Sequence, residues 1–173
     1  MSYKTGDTLV HPQHGVGKVD GPPVVASNGQ SYLSLFFEPS SLKIMIPVDS
    51  LEEVGIRPVA SAEHAKHILE TLAEASDVPA EWSERNASTV ARVKSTDLDQ
   101  AALVIRDLTR HQLRTTKPLS AAEKGVLDRC VEMVAQELSI VLAKTPEEVR
   151  ALIDEKISQG SPAQDAEEQV HAS

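Results

Sequence analysis

The sequence predicts an α+β fold in which a small antiparallel β module comes first and an all-α bundle of about five helices follows. Up to about residue 60, glycine, proline and asparagine turn signals recur between short apolar runs, as in a small barrel or curled sheet. From Ser61 onward, the apolar residues recur instead at helical spacing. Residues 159–173 contain three acidic residues and almost no apolar ones, which predicts disorder. The predicted domains are therefore residues 1–60, 61–158 and 159–173.

Four β-strands are predicted in the first domain, each bounded by turn signals. Asn28-Gly29 is typical of a two-residue hairpin turn, because both residue types tolerate a positive φ. Pro47 has no amide hydrogen to donate, so it should end its strand or lie on a sheet edge. The four strands are Thr8–His11, Gly17–Val19, Tyr32–Phe37 and Lys43–Ile46.

Capping residues indicate where the helices of the second domain begin. Ser61 is a candidate N-cap for the first helix, and Asp97 opens the third. Ser120 begins a capping box, in which serine or threonine is followed three residues later by glutamate. Thr145 begins a second capping box, with proline at the first helical position.

The buried faces of the helices are predicted from apolar residues spaced three and four apart. The second helix, from near Glu81 to Lys94, is predicted to turn Ala87, Val90 and Ala91 inward. Cys130 belongs to the apolar face of the fourth helix, which predicts a buried small hydrophobe. The apolar face of the third helix comprises Leu98, Ala101, Ala102, Ile105 and Leu108.

One segment of this acidic chain is basic. The whole chain has a net charge of −9 and a pI of about 5.1, which argues against a protein that coats DNA unaided. Residues 82–129 nevertheless contain nine basic and six acidic residues, a net charge of +3. Such a segment favours contact with phosphates or with an acidic protein surface. Its basic residues are Arg85, Arg92, Lys94, Arg106, Arg110, Arg114, Lys117, Lys124 and Arg129.

Three arginines of this segment share one side of the third helix. Arg106, Arg110 and Arg114 are spaced four residues apart, which places them in a row. A row of guanidinium groups can contact successive phosphates or a surface rich in carboxylates. The alternative is a solvated helix face near the C-terminus, where cations complement the helix dipole.

Trp82 is the only tryptophan of the chain. A single tryptophan is commonly an anchor in a core or a domain interface. The functional alternative is an apolar wedge, the kind of group that proteins insert between base steps in the minor groove. Arg85 follows three residues later and could hold a phosphate nearby.

The sequence indicates no catalytic site, metal site or cofactor. His11 and His14, like His64 and His67, are three residues apart, but partner ligands at metal spacing are missing. The first pair flanks the Gly15 turn and is expected to make turn hydrogen bonds. No nucleophile, phosphate-loop or dinucleotide motif occurs, so no enzyme activity is predicted. A metal-dependent or hydrolytic enzyme is the alternative class, which elemental analysis for a stoichiometric metal would test. One cysteine, with no signal peptide or membrane-spanning run, predicts a cytoplasmic protein.

Seven short motifs follow one another along residues 3–155. They are KTGD at Lys4–Asp7, HPQHGVG at His11–Gly17, KIMIP at Lys43–Pro47, VGIR at Val54–Arg57, EWSER at Glu81–Arg85, VIRDL at Val104–Leu108 and LSAAEKGVLDRC at Leu119–Cys130. Together, and in this order, they resemble the CarD/CdnL family of bacterial transcription regulators. The first four resemble the family's N-terminal module, which also occurs in the transcription-repair coupling factor, and the last three resemble its helical domain.

For the N-terminal module, the resemblance implies a Tudor-like (SH3-like) fold that docks on the RNA polymerase β subunit. The implied polymerase-binding residues are Lys43, Met45, Ile46 and Pro47 of the fourth strand. Some relatives carry arginine at the position of Met45. The protein is expected to be a monomer that associates with the nucleoid through RNA polymerase.

For the helical domain, the resemblance implies contact with promoter DNA at the upstream edge of the melted region. Trp82 matches the family's tryptophan, which wedges into the minor groove and slows collapse of the bubble. Arg85 and Lys124 match DNA-facing positions of the family, with Arg110 nearby. Arg114 continues the helix face of Arg110 and completes the predicted DNA-binding set.

This chain departs from the family pattern just after the tryptophan. Relatives usually carry two adjacent basic residues and then an aromatic one, where this chain has Glu84, Arg85 and Asn86. The departure predicts weaker or altered promoter action, as in a divergent paralogue. It also keeps a second interpretation open, namely an adaptor that binds RNA polymerase with little or no DNA contact.

Overall fold

The computed structural model describes residues 2–76, 81–93 and 97–160. The chain divides into two compact units, with the boundary between Ala60 and Ser61. Lys94, the side chain of Trp82 and most of the predicted disordered segment, residues 161–173, lie outside the described residues. An antiparallel sheet in the first unit and helices in the second confirm the predicted α+β class.

The first unit is a six-stranded antiparallel sheet with one short helix. Its elements are β1 (Thr8–His11), β2 (Gly15–Val19), β3 (Val24–Val25), β4 (Ser31–Phe37), β5 (Leu42–Pro47), α1 (Leu51–Val54) and β6 (Arg57–Pro58). The strand order is β3-β4-β2-β1-β6, and β5 pairs with β4. The four predicted strands correspond to β1, β2, β4 and β5. Sequence periodicity missed β3, β6 and α1 because each is too short to show it.

The β3–β4 hairpin turns at the predicted Asn28-Gly29 pair, but through a longer loop. The amide of Gly29 donates to the carbonyl of Ala26 at 2.9 Å, and the amide of Ala26 donates to the carbonyl of Gln30 at 2.9 Å. Gly29 has a φ of +80°, which glycine adopts without steric cost. The predicted two-residue turn is therefore wrong, because the loop spans residues 27–29 with glycine in the left-handed position.

The core of the first unit lies against one face of the sheet. In β4, Leu33, Leu35 and Phe37 are buried, whereas Tyr32 on the other face is half-buried. Gly17 of β2 lies against the Phe37 ring, and a Cβ added there would come within 2.7 Å of a ring carbon. This close approach therefore requires glycine at that position. The buried cluster comprises Leu9, Val19, Leu33, Leu35, Phe37, Ile46, Leu51 and Ile56.

The second unit is a helical bundle, and its five described helices agree with the predicted number. They are α2 (Ala62–Ala73), α3 (Trp82–Val93), α4 (Leu98–Arg114), α5 (Ala121–Val141) and α6 (Pro146–Gln159). Helix α4 is central, since it packs against each of the other four. Its predicted apolar face is buried throughout. Helix α6 ends one residue beyond the predicted boundary at residue 158.

The predicted caps are present at the starts of four helices. The hydroxyl of Ser61 accepts a hydrogen bond from the amide three residues on at 3.1 Å. The carboxylate of Asp97 accepts from the amide two residues on at 2.8 Å. Ser120 and Thr145 each form the predicted capping box with a glutamate. These short-range interactions satisfy amides that have no partner within the helix itself.

The face of helix α3 that lies against the bundle is opposite to the predicted face. Ala87 and Ala91 are exposed and Val90 is 46% exposed, whereas Arg85 and Thr89 are buried. The prediction assumed that apolar side chains face the bundle. Acidic residues of α4 and α5 lie there instead and pair with basic residues of α3. The buried side chains of α3 are therefore polar, as far as its side chains are described.

Candidate functional site

The implied polymerase-binding residues lie on β5, which pairs with β4 alone among the described strands. Met45 is 50% exposed, Lys43 is exposed and Pro47 is half-buried. Ile46 points to the opposite face and belongs to the buried cluster. Lys43 forms an ion pair with Asp20 at 2.7 Å, in which both side chains remain partly exposed. Alternation along the strand thus presents Lys43, Met45 and Pro47 together and makes Ile46 their internal support.

One exposed valine, Val24, extends this surface beyond the predicted residues, whereas Val25 points to the other face of the sheet. Val24 and Val25 form β3 and are among the most exposed apolar residues of the sheet unit. Val24 pairs with Tyr32 of β4, and Tyr32 pairs on its other side with Pro47. Directly paired residues share a face, so this row crosses three strands. A pair of β-branched residues between two turn signals was the only indication of β3 in the sequence.

Arg110 is the most deeply buried of the three arginines on α4, with only 2% of its surface exposed. Its guanidinium donates to the carbonyl of Gly160 at 3.3 Å and to that of Leu72 at 3.4 Å. These carbonyls lie at the C-terminal ends of α6 and α2, where helices leave carbonyl groups without internal partners. The guanidinium thus donates hydrogen bonds inside the bundle and is not placed to contact a phosphate. The DNA-contact role that the resemblance implied for Arg110 stays a prediction, to be weighed against this burial.

Arg106 is also buried and takes part in a charge network. It pairs with Asp107 at 2.9 Å and with Glu74 at 3.4 Å. Asp107 also accepts a hydrogen bond from Ser76 at 2.7 Å and pairs with Arg92 at 2.6 Å. The network therefore connects α3 and α4 with the end of α2 and the residues that follow it.

Arg85 of α3 forms a buried ion pair with Glu123 of α5. Its Nε lies 2.7 Å from Oε1 of Glu123, and the two side chains are 7% and 2% exposed. The other carboxylate oxygen accepts from the amide of Ser120 at 2.8 Å, as part of the capping box. Burial acts to raise the pKa of Glu123, but hydrogen bonds from Arg85 and Ser120 lower it, and the resulting pKa is below the ordinary value. Arg85 is thus internal, and its implied role as a direct DNA contact stays a prediction.

His111 of α4 is buried near this ion pair. Burial is the main cause of a lowered pKa for His111, and the positive charge of Arg85 lowers this pKa further. Glu123 acts in the opposite direction, and Arg114 adds to the lowering. The imidazole is therefore held in its neutral form at pH 7.

Four basic side chains from the end of α4 to the third turn of α5 are exposed. We call them the exposed basic set: Arg114, Lys117, Lys124 and Arg129. Arg114 also donates to the carbonyl of Ser76 at 3.3 Å, so part of its guanidinium is engaged. The set is smaller than the basic segment of the sequence because the bundle buries other members of that segment.

The structure thus divides the predicted DNA-facing residues into two groups. Arg114 and Lys124 are at the surface, whereas Arg85 and Arg110 are inside the helical unit. Trp82 is the first residue of α3, and its side chain lies outside the described residues. Lys124 directly follows Glu123, so the Arg85–Glu123 pair links the helix that begins with Trp82 to the helix that carries Lys124.

Other candidate sites from the sequence have structural explanations. The amide of Gln13 donates to Nδ1 of His11 at 3.1 Å, which is a turn hydrogen bond of the predicted kind. The rings of His11 and His14 lie 4.7 Å apart and both contact Phe37. Cys130 is buried, and burial raises its pKa to about 11. Within the described ranges, no three potential metal ligands cluster together, and no helix has the length and apolar character needed to cross a membrane.

Two family models match the two units of the chain. The model described as CarD-like/TRCF RID domain matches residues 3–60, and the model described as CarD, C-terminal domain matches residues 67–154. A Bacillus subtilis (strain 168) protein named "Putative transcription factor YdeB" is 28% identical over 152 residues, which cover 86% of this chain and 98% of that protein. The order of the two domains and their near-complete coverage agree with the sheet-then-bundle architecture. The chain is therefore a divergent member of the CarD family of transcription regulators.

Proposed function

We propose that this CarD-family protein is a non-enzymatic regulator of transcription initiation, acting as a cytoplasmic monomer associated with the nucleoid through RNA polymerase. Its sheet unit docks on the polymerase β subunit. Its helical unit stabilises the promoter open complex at the upstream edge of the melted DNA. The observation that carries the proposal is an RID-type sheet with an exposed edge strand, followed in the same chain by a CarD helical domain with exposed cations.

Docking on polymerase uses the β5 edge and the face next to it. Along the described sheet, the outer edge of β5 has no strand beside it, and such an edge can add a strand from a partner. Met45 and Pro47 offer apolar contact beside that edge, and Lys43 offers a positive charge. Ile46 is buried, so its contribution is to hold the strand in place.

Contact with DNA depends on Trp82 and the exposed basic set. Four phosphate contacts correspond to a salt dependence of about −3 to −4 in log K against log salt, which is modest. The net charge of −9 weakens binding to free DNA further. A protein already docked on polymerase meets the promoter at an effective concentration on the order of millimolar. Tethering by the sheet unit therefore allows a weak DNA contact to act.

Stabilisation of the open complex follows from a difference in affinity. A contact that forms only with melted DNA shifts the closed–open equilibrium by its own free energy. About 1.4 kcal/mol changes that ratio about tenfold. A tryptophan wedged at the fork and a few cations can supply this amount, and no bond is made or broken.

The lifetime of the open complex tests the proposal. Purified polymerase, promoter DNA and the full chain are challenged with a DNA competitor, and the decay is compared for wild type and Trp82→Ala. We expect the variant to shorten the lifetime several-fold while it still binds polymerase. Val90→Ala, an exposed change on the same helix, is the matched control and should behave as wild type. Equal lifetimes for Trp82→Ala and wild type, with both proteins bound, would contradict the wedge.

One observation favours a second candidate function, an adaptor that binds polymerase without DNA contact. Arg85 and Arg110 are internal, and Glu84, which precedes Arg85 on α3, is exposed. A photo-crosslinker at position 124 separates the two functions. Crosslinks to promoter DNA support the open-complex regulator, whereas crosslinks to protein alone support the adaptor. The same probe at Lys144, an exposed lysine after α5, controls for crosslinking by proximity to polymerase.

A further inference from the structure

The carboxylate of Glu123 has two separate partners. Its Oε1 accepts from Nε of Arg85 on α3, and its Oε2 accepts from the amide of Ser120 at the start of α5. The Ser120 hydroxyl in turn accepts from the Glu123 amide at 3.2 Å. One buried side chain therefore fixes the first turn of α5 and, through the ion pair, the first turn of α3.

Two charged contacts attach helix α3 to the bundle. Among its described side chains, Arg85 and Thr89 are buried and Val93 is half-buried, while Ala87, Val90 and Ala91 are exposed. Arg92 provides a second ionic link, to Asp107 of α4. Apolar packing is tolerant of small displacements, whereas a buried ion pair requires close and directed geometry. The position of α3 on the bundle is therefore set at specific points.

These points lie next to the residues assigned to DNA contact. Arg85 is three residues after Trp82, which is less than one helical turn. Lys124 is the residue after Glu123. The Arg85–Glu123 pair thus directly connects the start of α3, which carries Trp82, to the start of α5, which carries the exposed Lys124.

We propose that Glu123 is a positioning residue: through Arg85, it holds Trp82 at a fixed place relative to Lys124, so that ring and cation meet the DNA fork together. The inference rests on the proposed function and deepens it. It assigns Arg85, a sequence match to DNA-facing positions, to placement of the wedge and not to phosphate contact. The competing explanation is that the pair only stabilises the fold.

A matched pair of substitutions separates these explanations. Glu123→Gln keeps the shape of the side chain and an acceptor for the capping box, but removes the charge that faces Arg85. Glu148→Gln makes the same change in the capping box of α6, where Glu148 is exposed and hydrogen bonds with Thr145. Any effect seen in Glu123→Gln but not in Glu148→Gln is therefore due to the lost ion pair with Arg85 on α3, and not to a weakened helix cap.

Trp82 provides a local readout because it is the only tryptophan. Its fluorescence emission and its quenching by acrylamide report the environment of the start of α3. Both are measured on the folded full chain in the absence of DNA. We expect Glu123→Gln to change both, and Glu148→Gln to change neither. Arg85→Lys, which keeps the charge but alters the donor geometry, should give a smaller change in the same direction and serves as a second variant if Glu123→Gln does not fold.

The open-complex lifetime provides the functional readout. With polymerase saturated, Glu123→Gln should shorten the lifetime several-fold, and Glu148→Gln should leave it unchanged. A shortened lifetime without any change in Trp82 fluorescence would overturn the positioning role, as would unchanged fluorescence in both Glu123→Gln and Arg85→Lys. If the fluorescence changes as expected but Trp82→Ala itself has no effect on lifetime, the placement of Trp82 by Glu123 is supported and the proposed function fails.

Discussion

The guanidinium of Arg110 donates a hydrogen bond to the carbonyl oxygen of Gly160 at 3.3 Å, which connects the central helix α4 to the end of α6. The two residues are so close that a Cβ added to Gly160 would overlap both the guanidinium and the carbonyl oxygen of Ala73. The same guanidinium also reaches Leu72 near the end of α2. Three helices are therefore fixed around one buried cation.

Arg110→Ala should destabilise the protein by about 3 kcal/mol, because it removes hydrogen bonds from a charged donor and leaves a cavity. Urea unfolding measured by circular dichroism checks this value. Arg114→Ala, one turn further along the same helix and exposed, should cost less than about 1 kcal/mol. Similar losses for the two variants would contradict the internal role of Arg110.

Gly160→Ala and Gly125→Ala should have opposite effects on stability. A Cβ at Gly160 has no room, so helix α6 or Arg110 must move and the free energy of unfolding should fall. A Cβ at Gly125, in α5, has nothing within 4 Å, and alanine there should add about 0.5–1 kcal/mol through its higher helix propensity. Thermal unfolding of the two variants beside wild type measures both effects. Unchanged or raised stability in Gly160→Ala would show that space around Gly160 is not limiting.

The stability of the helical unit should fall in acid partly through Glu123. Its pKa in the folded chain is below the ordinary 4.5, so the unfolded chain binds the proton more readily. The stabilisation is present above about pH 4.5 and is lost as the pH falls through the lower, folded value. Urea unfolding between pH 7 and pH 3 should show a shallower loss for Glu123→Gln than for wild type. Parallel curves for the two proteins would contradict the lowered pKa.

Cys130 should resist thiol reagents while the protein is folded. Burial raises its pKa to about 11, so very little reactive thiolate exists at pH 8. Labelling with a chromogenic disulfide reagent should be slow in buffer and fast in denaturing urea. Because the chain has one cysteine, the signal needs no correction for other thiols. Rapid labelling under native conditions would show that the α5 face carrying Cys130 is open to solvent.

Met45→Glu should weaken binding to RNA polymerase by at least about tenfold, a loss of about 1.4 kcal/mol, because it places a charge in the proposed apolar contact beside the β5 edge. Ile140→Glu is the matched control, since Ile140 is similarly exposed but lies on α5 of the other unit. Affinity for the isolated β-subunit domain, measured by titration calorimetry or biolayer interferometry, gives both values. Equal binding by Met45→Glu and wild type would move the docking site away from β5.

Local interactions made much of the fold predictable. The caps at Ser61, Ser120 and Thr145 depend on residues no more than three positions away, and all three are present as predicted. The longer strands and the apolar face of α4 follow from periodicity over several residues. The β3 and β6 strands have two residues each, and no periodic pattern can appear in so short a segment.

The candidate site was less predictable because its determinants are distant in sequence. The partner of Arg85 is 38 residues away and that of Arg92 is 15 residues away, so the polar inward face of α3 could not be inferred from α3 alone. Spacing placed Arg106, Arg110 and Arg114 on one side of α4, but it could not show that α2 and α6 cover part of that side. Tertiary pairing therefore decided which cations remained at the surface.

The burial of Arg85 and Arg110 has a practical consequence for mutational scanning. Replacing every basic residue by alanine would lower promoter activity at two unrelated kinds of position. At Lys124 the loss should persist at any growth temperature, because the proposed DNA contact is missing. At Arg110 it should behave as a temperature-sensitive phenotype with falling protein abundance, since a destabilised chain is cleared by proteolysis.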